Sequence, residues 1–196
     1  MARPPKYADD EILDRALEVF WTRGWSATSI RELEAQLDLK APAIYRRFGS
    51  KDGLSRAVLD HYVDRAVRRR IEKYLPDDGD PLDNIREFLA SAVRAPNDEP
   101  LIGCLLTTTA LETPDVSPEL GAALTAGQAV IEAALRRQLE RARDAGALAS
   151  HMDVDGALAV LTVAWHGLMV LARSGEDPAL LAYRAAAAAD ALDARA

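Results

Sequence analysis

The chain has 196 residues and is 49% hydrophobic, enough apolar side chain for one large helical domain or two small ones. A single cysteine, Cys104, excludes an intrachain disulfide framework, and neither a membrane-spanning apolar run nor a signal peptide is read, so a cytoplasmic protein with no membrane partner is expected. The net charge of −7 is uneven: residues 1–74 hold 15 Lys+Arg against 12 Asp+Glu, residues 75–196 only 9 against 19. Nucleic-acid binding depends on a local basic face, so the overall acidity does not exclude it.

No stretch alternates apolar and polar residues convincingly, and the reading is all-α. Residues 9–23 carry Ile12, Ala16, Leu17, Phe20 and Trp21 in a helical stripe that Gly24 closes. Thr28 is expected to cap a helix over 29–37, whose Ile30, Leu33 and Leu37 share one face. Asp38-Leu39-Lys40 is long enough only for a turn, and Asp tolerates the left-handed backbone such turns need. Pro42 suits the first turn of a helix over 41–48. There Ile44 and Phe48 face inward, leaving Ala43, Tyr45, Arg46 and Arg47 outside. Gly49 stops that helix and Ser50 caps the next, which runs to about Leu75 with Leu54, Val58, His61, Tyr62 and Ala66 along one face. Two short helices, a three-residue turn and an exposed Tyr-Arg-Arg make a helix-turn-helix whose second helix suits a major groove.

Pro76-Asp-Asp-Gly-Asp-Pro81 is a strong break, read as a hinge between domains. Helices are expected over 82–95, 103–111, 117–145, 154–173 and 179–192, with a loop at 97–100, making nine in all. The helix over 154–173 is apolar nearly all round and must be buried on every side. With the Ala-rich 179–192 it suggests a four-helix interface in a homodimer. A two-fold dimer would set two recognition helices roughly 34–36 Å apart on a near-palindromic operator.

With a helix-turn-helix after one amphipathic helix and before a long one, residues 9–62 resemble the TetR family of transcriptional regulators. The matching residues are Phe20, Gly24, Thr28, Ile30, Leu33, Leu39, Ile44, Tyr45, Phe48, Lys51 and Leu54. The Gly-Cys-Leu-Leu run at 103–106 is similar to an element of some branches. The resemblance implies a three-helix DNA-binding head over residues 1–52, joined by the long helix to a ligand-binding and dimerisation bundle over 53–196. Four positions depart from the family's habit: Asp38 for Gly, Lys40 for a capping Ser or Asn, Ala41 for Lys, and Glu34 for a small residue.

Site roles follow from that resemblance. Thr28 and Tyr45 should donate to phosphates, and Lys51 and Lys40 should each pair with one, contacts that set register without reading sequence. Arg46 and Arg47 are expected on base edges, Arg being shaped to bridge guanine O6 and N7. Ala43 could touch a thymine methyl, Arg31 a phosphate or base, and Arg3 and Lys6 the backbone or a minor groove. In the second half, Tyr62, Phe88, Cys104, Thr108, Leu111, Trp165, His166 and Met169 are candidates to line an effector cavity, or else simply pack the bundle. Cys104 reads as a small buried hydrophobe or as a thiol that senses electrophiles, and no Lys or Arg adjoins it in sequence.

Catalysis is not expected. The three histidines form no Glu-x-x-His pair, and a Gly-rich phosphate loop, a Cys-x-x-Cys and a nucleophile elbow are all missing, so no cofactor or metal is implied. The expected protein binds a double-stranded DNA operator and a small apolar effector of neutral or weakly polar character, and acts as a repressor that the effector releases. The alternatives are a DNA-binding adaptor whose second half holds a protein, and a cysteine-based sensor.

Overall fold

The computed structural model describes residues 9–94, 103–112 and 117–195. Arg3, Lys6 and the loop expected at 97–100 lie outside them. Helix α1, Asp9–Arg23, opens with Asp9, Asp10 and Glu11, which complement the positive end of the helix dipole. Helix α2, Ile30–Leu37, is capped by Ser29, which corrects the expectation for Thr28. Ser29 Oγ accepts from the Glu32 amide at 3.3 Å, and Glu32 Oε2 accepts from the Ser29 amide at 2.8 Å. That reciprocal box requires a Ser or Thr three residues before the Glu, and only Ser29 stands there. Thr28 is 1% exposed and donates instead to the Gly24 carbonyl at 2.6 Å.

Asp38 adopts the left-handed backbone expected of it, φ 51° and ψ 40°. It delivers the chain to α3, Ala41–Phe48, whose N-cap Lys40 has no side-chain capping bond. Glu34 of α2 supplies that cap, its Oε1 accepting from the Ala41 amide at 2.7 Å. The larger side chain at position 34 and the missing cap at position 40 therefore compensate one another.

Ser50 caps helix α4, Lys51–Tyr62, which continues through a π-helical turn at Val63–Val67 into α5, Arg68–Tyr74. The rod reaches the expected end, but the π turn corrects the reading of one regular helix. One inserted residue turns the side chains beyond it by about 100°. Before the turn α4 packs on α1 and α3 of the head and on α7 and α8 of the body, and after it α5 packs on α6 and α8.

The break expected after α5 is present, and it is a clamped corner. The buried Gln138 donates from Nε2 to the carbonyls of Leu75 at 3.1 Å and Pro76 at 2.7 Å, and Arg141 donates to that of Gly79 at 2.8 Å. Helix α6, Pro81–Ala92, starts on an Asp80 cap and stops short of the expected residue 95. Helices α7 (Leu105–Glu112), α8 (Pro118–Asp144), α9 (Val154–Arg173) and α10 (Pro178–Asp190) complete the body. Among the described residues there is no strand, only an isolated bridge pairing Leu148 with Asp193. By length and composition, α9 is apolar enough to cross a membrane, with a mean hydropathy of 1.7, which corrects the reading that no segment is. Here one face of it, including Leu161, Trp165 and Leu168, packs in the core.

Glu34→Ala should leave the first turn of α3 uncapped and cost about 1 kcal/mol, roughly 2–4 °C in Tm, by thermal denaturation. Glu34→Gln should restore part of the loss, because its carbonyl oxygen still accepts.

Candidate DNA interface and core cavity

The recognition face is built from α3. Ile44 is fully buried and anchors the helix, while Tyr45 is 44% exposed and Arg46 is exposed. Arg47 pairs with Asp9 at the start of α1. Arg31 on α2 and Lys40 at the start of α3 are exposed, and Ala43 is half-buried. Thr28 and Lys51 do not present themselves in the expected way. Thr28 is buried with its proton committed to Gly24. Lys51 turns inward, its Nζ donating to the Trp25 carbonyl at 2.7 Å and standing 4.4 Å from the Trp25 ring centroid. Burial lowers the pKa of that ammonium. At the head of α4 Ser50 Oγ accepts from the Gly53 amide at 2.9 Å.

A cavity of about 70 Å³ lies between head and body. Of the residues singled out from the sequence, Tyr62, Phe88, Cys104, Trp165 and Met169 line it. Phe88 stacks on Trp165 with centroids 4.9 Å apart, and Trp21 meets Tyr62 edge-on at 5.2 Å. Tyr62 donates to Cys104 Sγ at 3.5 Å, and burial pushes the Tyr62 phenol well above its ordinary pKa. Three expectations fail. His166 borders a separate small pocket on the far side of Trp165, where its Nδ1 lies 3.0 Å from Thr107 Oγ1. Thr108 is buried but bonds the Leu105 carbonyl of its own helix. Leu111 is 65% exposed and lines neither space, because α7 turns that position outward.

The sequence reading missed Trp21, Arg70, Gly103 and Ile131 in this lining. Trp21 was assigned to the head's own stripe. Arg70 sits in a run of three arginines that reads as a solvated face. Gly103 has φ 74°, and a Cβ there would stand 2.8 Å from the Met169 carbonyl, so α7 can begin this close to α9 only with glycine. Trp21 Nε1 donates to the Gly103 carbonyl at 3.2 Å, and Arg173 donates to the Trp21 carbonyl at 3.0 Å. Ser26 Oγ donates to the Glu112 carbonyl at 3.0 Å. With the Ser26 amide donating to Glu112 Oε2 at 3.4 Å, four hydrogen bonds tie the end of α1 and the turn after it to α9 and the two ends of α7. Among the described residues no group of three His, Cys, Asp or Glu is placed to hold a metal ion.

A helix-turn-helix head on a helical body with its own cavity defines a DNA-binding regulator of transcription. Comparison with known proteins makes the class specific. The family model described as "Bacterial regulatory proteins, tetR family" matches residues 12–58, and "Tetracyclin repressor-like, C-terminal domain" matches residues 81–188. The chain belongs to the TetR family. The transcriptional repressor ComR of Escherichia coli (strain K12) is 28% identical over 175 residues, covering 88% of this chain and 83% of ComR. YezE, an HTH-type regulator of Bacillus subtilis (strain 168), is 28% identical over 152 residues, 76% of each chain. A cysteine mutant of the TetR-family regulator CifR, solved with a 26-base-pair operator DNA, superposes with a TM-score of 0.82 at 28% identity, covering 96% of this chain and 99% of CifR's.

Arg46→Ala should weaken operator binding by about 1–3 kcal/mol, roughly 5- to 150-fold, and relax preference at the base it meets, as read by titration of matched and mismatched duplexes at fixed salt. An unchanged preference would remove Arg46 from the reading face.

Proposed function

We propose that this chain is a homodimeric repressor that leaves a near-palindromic operator when a small, largely apolar effector enters the cavity. The observation that carries this reading is the make-up of the cavity wall. Trp21 comes from the head, Tyr62, Ala66 and Arg70 from the rod and its π turn, and Phe88, Trp165 and Met169 from the body. A ligand pressing on that wall acts on the head through the bonds of Trp21 and on the rod where its helical phase changes. The cavity of about 70 Å³ is well below the roughly 300–1,000 Å³ of drug-sized sites. An effector of that size fits only after the walls separate, so it binds the opened state more tightly. Such differential affinity is the one means by which a ligand shifts a conformational equilibrium.

The domain division falls along the rod, with residues 1–52 as the reading head and 53–196 as the effector and dimer body. Arg46, Tyr45, Arg31 and Lys40 face the DNA, and Arg47 joins them once it exchanges Asp9 for a phosphate or base. ComR is named a repressor and CifR was solved on its operator, which supports repression from DNA in the cytoplasm. The adaptor alternative requires a filled core beneath residues 104–111, and the cavity bordered by Gly103 and Cys104 speaks against it. Cys104 serves this reading as a wall of the cavity, buried and hydrogen-bonded to Tyr62.

Dimerisation is supported by apolar side chains that the single chain leaves in water. On α9 Val163 is 73% exposed and Val160 and Val170 also face out, and Tyr183 on α10 is 70% exposed. A second copy related by a two-fold axis buries them and sets the two α3 helices one DNA turn apart.

Selection from random duplexes at stated salt tests the function: recovery of an inverted repeat with half-sites about one turn apart is expected. Weak, salt-sensitive binding with no enriched sequence would sink the operator reading. Val163→Asp should place a charge in the centre of the proposed interface and convert the dimer to monomer by light scattering. It should also reduce operator affinity at least tenfold while leaving the helical circular dichroism intact.

A further inference from the structure

We propose that the effector carries a carboxylate on a small apolar ring or chain, and that Arg70 is the residue that holds it. The proposal rests on the cavity being the effector site. Arg70 is the single cation in a lining otherwise made of aromatic, aliphatic and small residues such as Trp21, Tyr62, Phe88 and Trp165. The lining contains neither Asp nor Glu.

Its neighbours on the rod show how unusual this placement is. Arg65 pairs with Asp10 and Asp14, and Arg68 bonds Asp64 at 2.9 Å. Arg31, Arg46 and Arg69 have no carboxylate partner among the described residues, but they are exposed, and water solvates them. Arg141 also lacks a carboxylate, yet it donates to the Pro76 and Gly79 carbonyls and to Gln138. Arg70 is half-buried and, among the described residues, has neither an ion pair nor a hydrogen bond. Partly burying a guanidinium without an anion is unfavourable, and a carboxylate offers it a planar, two-pronged acceptor.

Tyr62 adds a second contact. Its phenol stays protonated, because burial and the neighbouring Cys104 push its pKa up more than the Arg70 cation pulls it down. Among the described residues its only acceptor is a sulfur at 3.5 Å, which is weak. A carboxylate oxygen beside Arg70 is a better acceptor for that O–H. The remaining walls then bury the apolar part of the ligand.

The test uses the full chain and two matched pairs, benzoate with benzamide and hexanoate with hexanamide. Binding is followed by isothermal titration and by the fluorescence of Trp21 and Trp165 in the cavity wall. Each acid is expected to bind at least tenfold more tightly than its amide. Arg70→Gln should bring that ratio close to one without changing amide binding or the Tm of the free protein, and Arg70→Lys should keep part of it. Equal binding of acid and amide, or a preference that survives Arg70→Gln, overturns the carboxylate assignment and leaves the cavity reading standing. Absence of binding by all four probes, with unchanged fluorescence, overturns both.

Discussion

One helical rod, α4 through α5, has to bury side chains against head and body at once. Leu54 and Leu59, then Tyr62, Val63 and Val67, are all buried along it. A regular helix keeps one apolar stripe on one side, whereas this rod has different neighbours at its two ends. The π turn at Val63–Val67 separates α4, which packs on α1, α3, α7 and α8, from α5, which packs on α6 and α8. Everything else is arranged around that rod: the head docks on its first turns, Gln138 clamps its last residues, and the cavity opens beside the π turn.

The head is held to the body a second time, at the end of α1. Gly24 has φ 89°, a left-handed backbone that favours glycine, and it lies against the Glu112 carboxylate. Beside it, Ser26 and Trp21 bond the chain at either end of α7. Two attachments of the head, one through the rod and one through Trp21, enclose the cavity between them. The small volume follows from the same arrangement, since Trp21, Tyr62, Phe88 and Trp165 converge on it.

Local features were legible wherever a few adjacent residues carry the physics. The three-residue turn with left-handed Asp38, the exposed Tyr45 and Arg46, and the caps at Ser50, Ser117 and Asp153 all followed from short-range rules. The cap of α2 was misplaced by one residue because Thr28 and Ser29 are both good caps, and the reciprocal partner Glu32 decides between them. The cap of α3 comes from Glu34, seven residues before Ala41, which no local pattern shows. Lys51 looked like a phosphate ligand until the Trp25 carbonyl took its ammonium.

The sequence by itself determined an all-helical chain, a helix-turn-helix with Tyr45 and Arg46 exposed on its second helix, and an α9 apolar nearly all round. These depend on periodicity, caps and residue chemistry within one or two turns. Only the tertiary structure decided which side chains share the cavity. It brought Trp21, Tyr62, Arg70, Cys104 and Trp165 together from four separate stretches and sent His166, Thr108 and Leu111 elsewhere. The reason is rotational. A cavity wall depends on the phase of each helix against its neighbours, and a single π turn shifts that phase by about 100° without leaving a mark in the hydrophobic pattern.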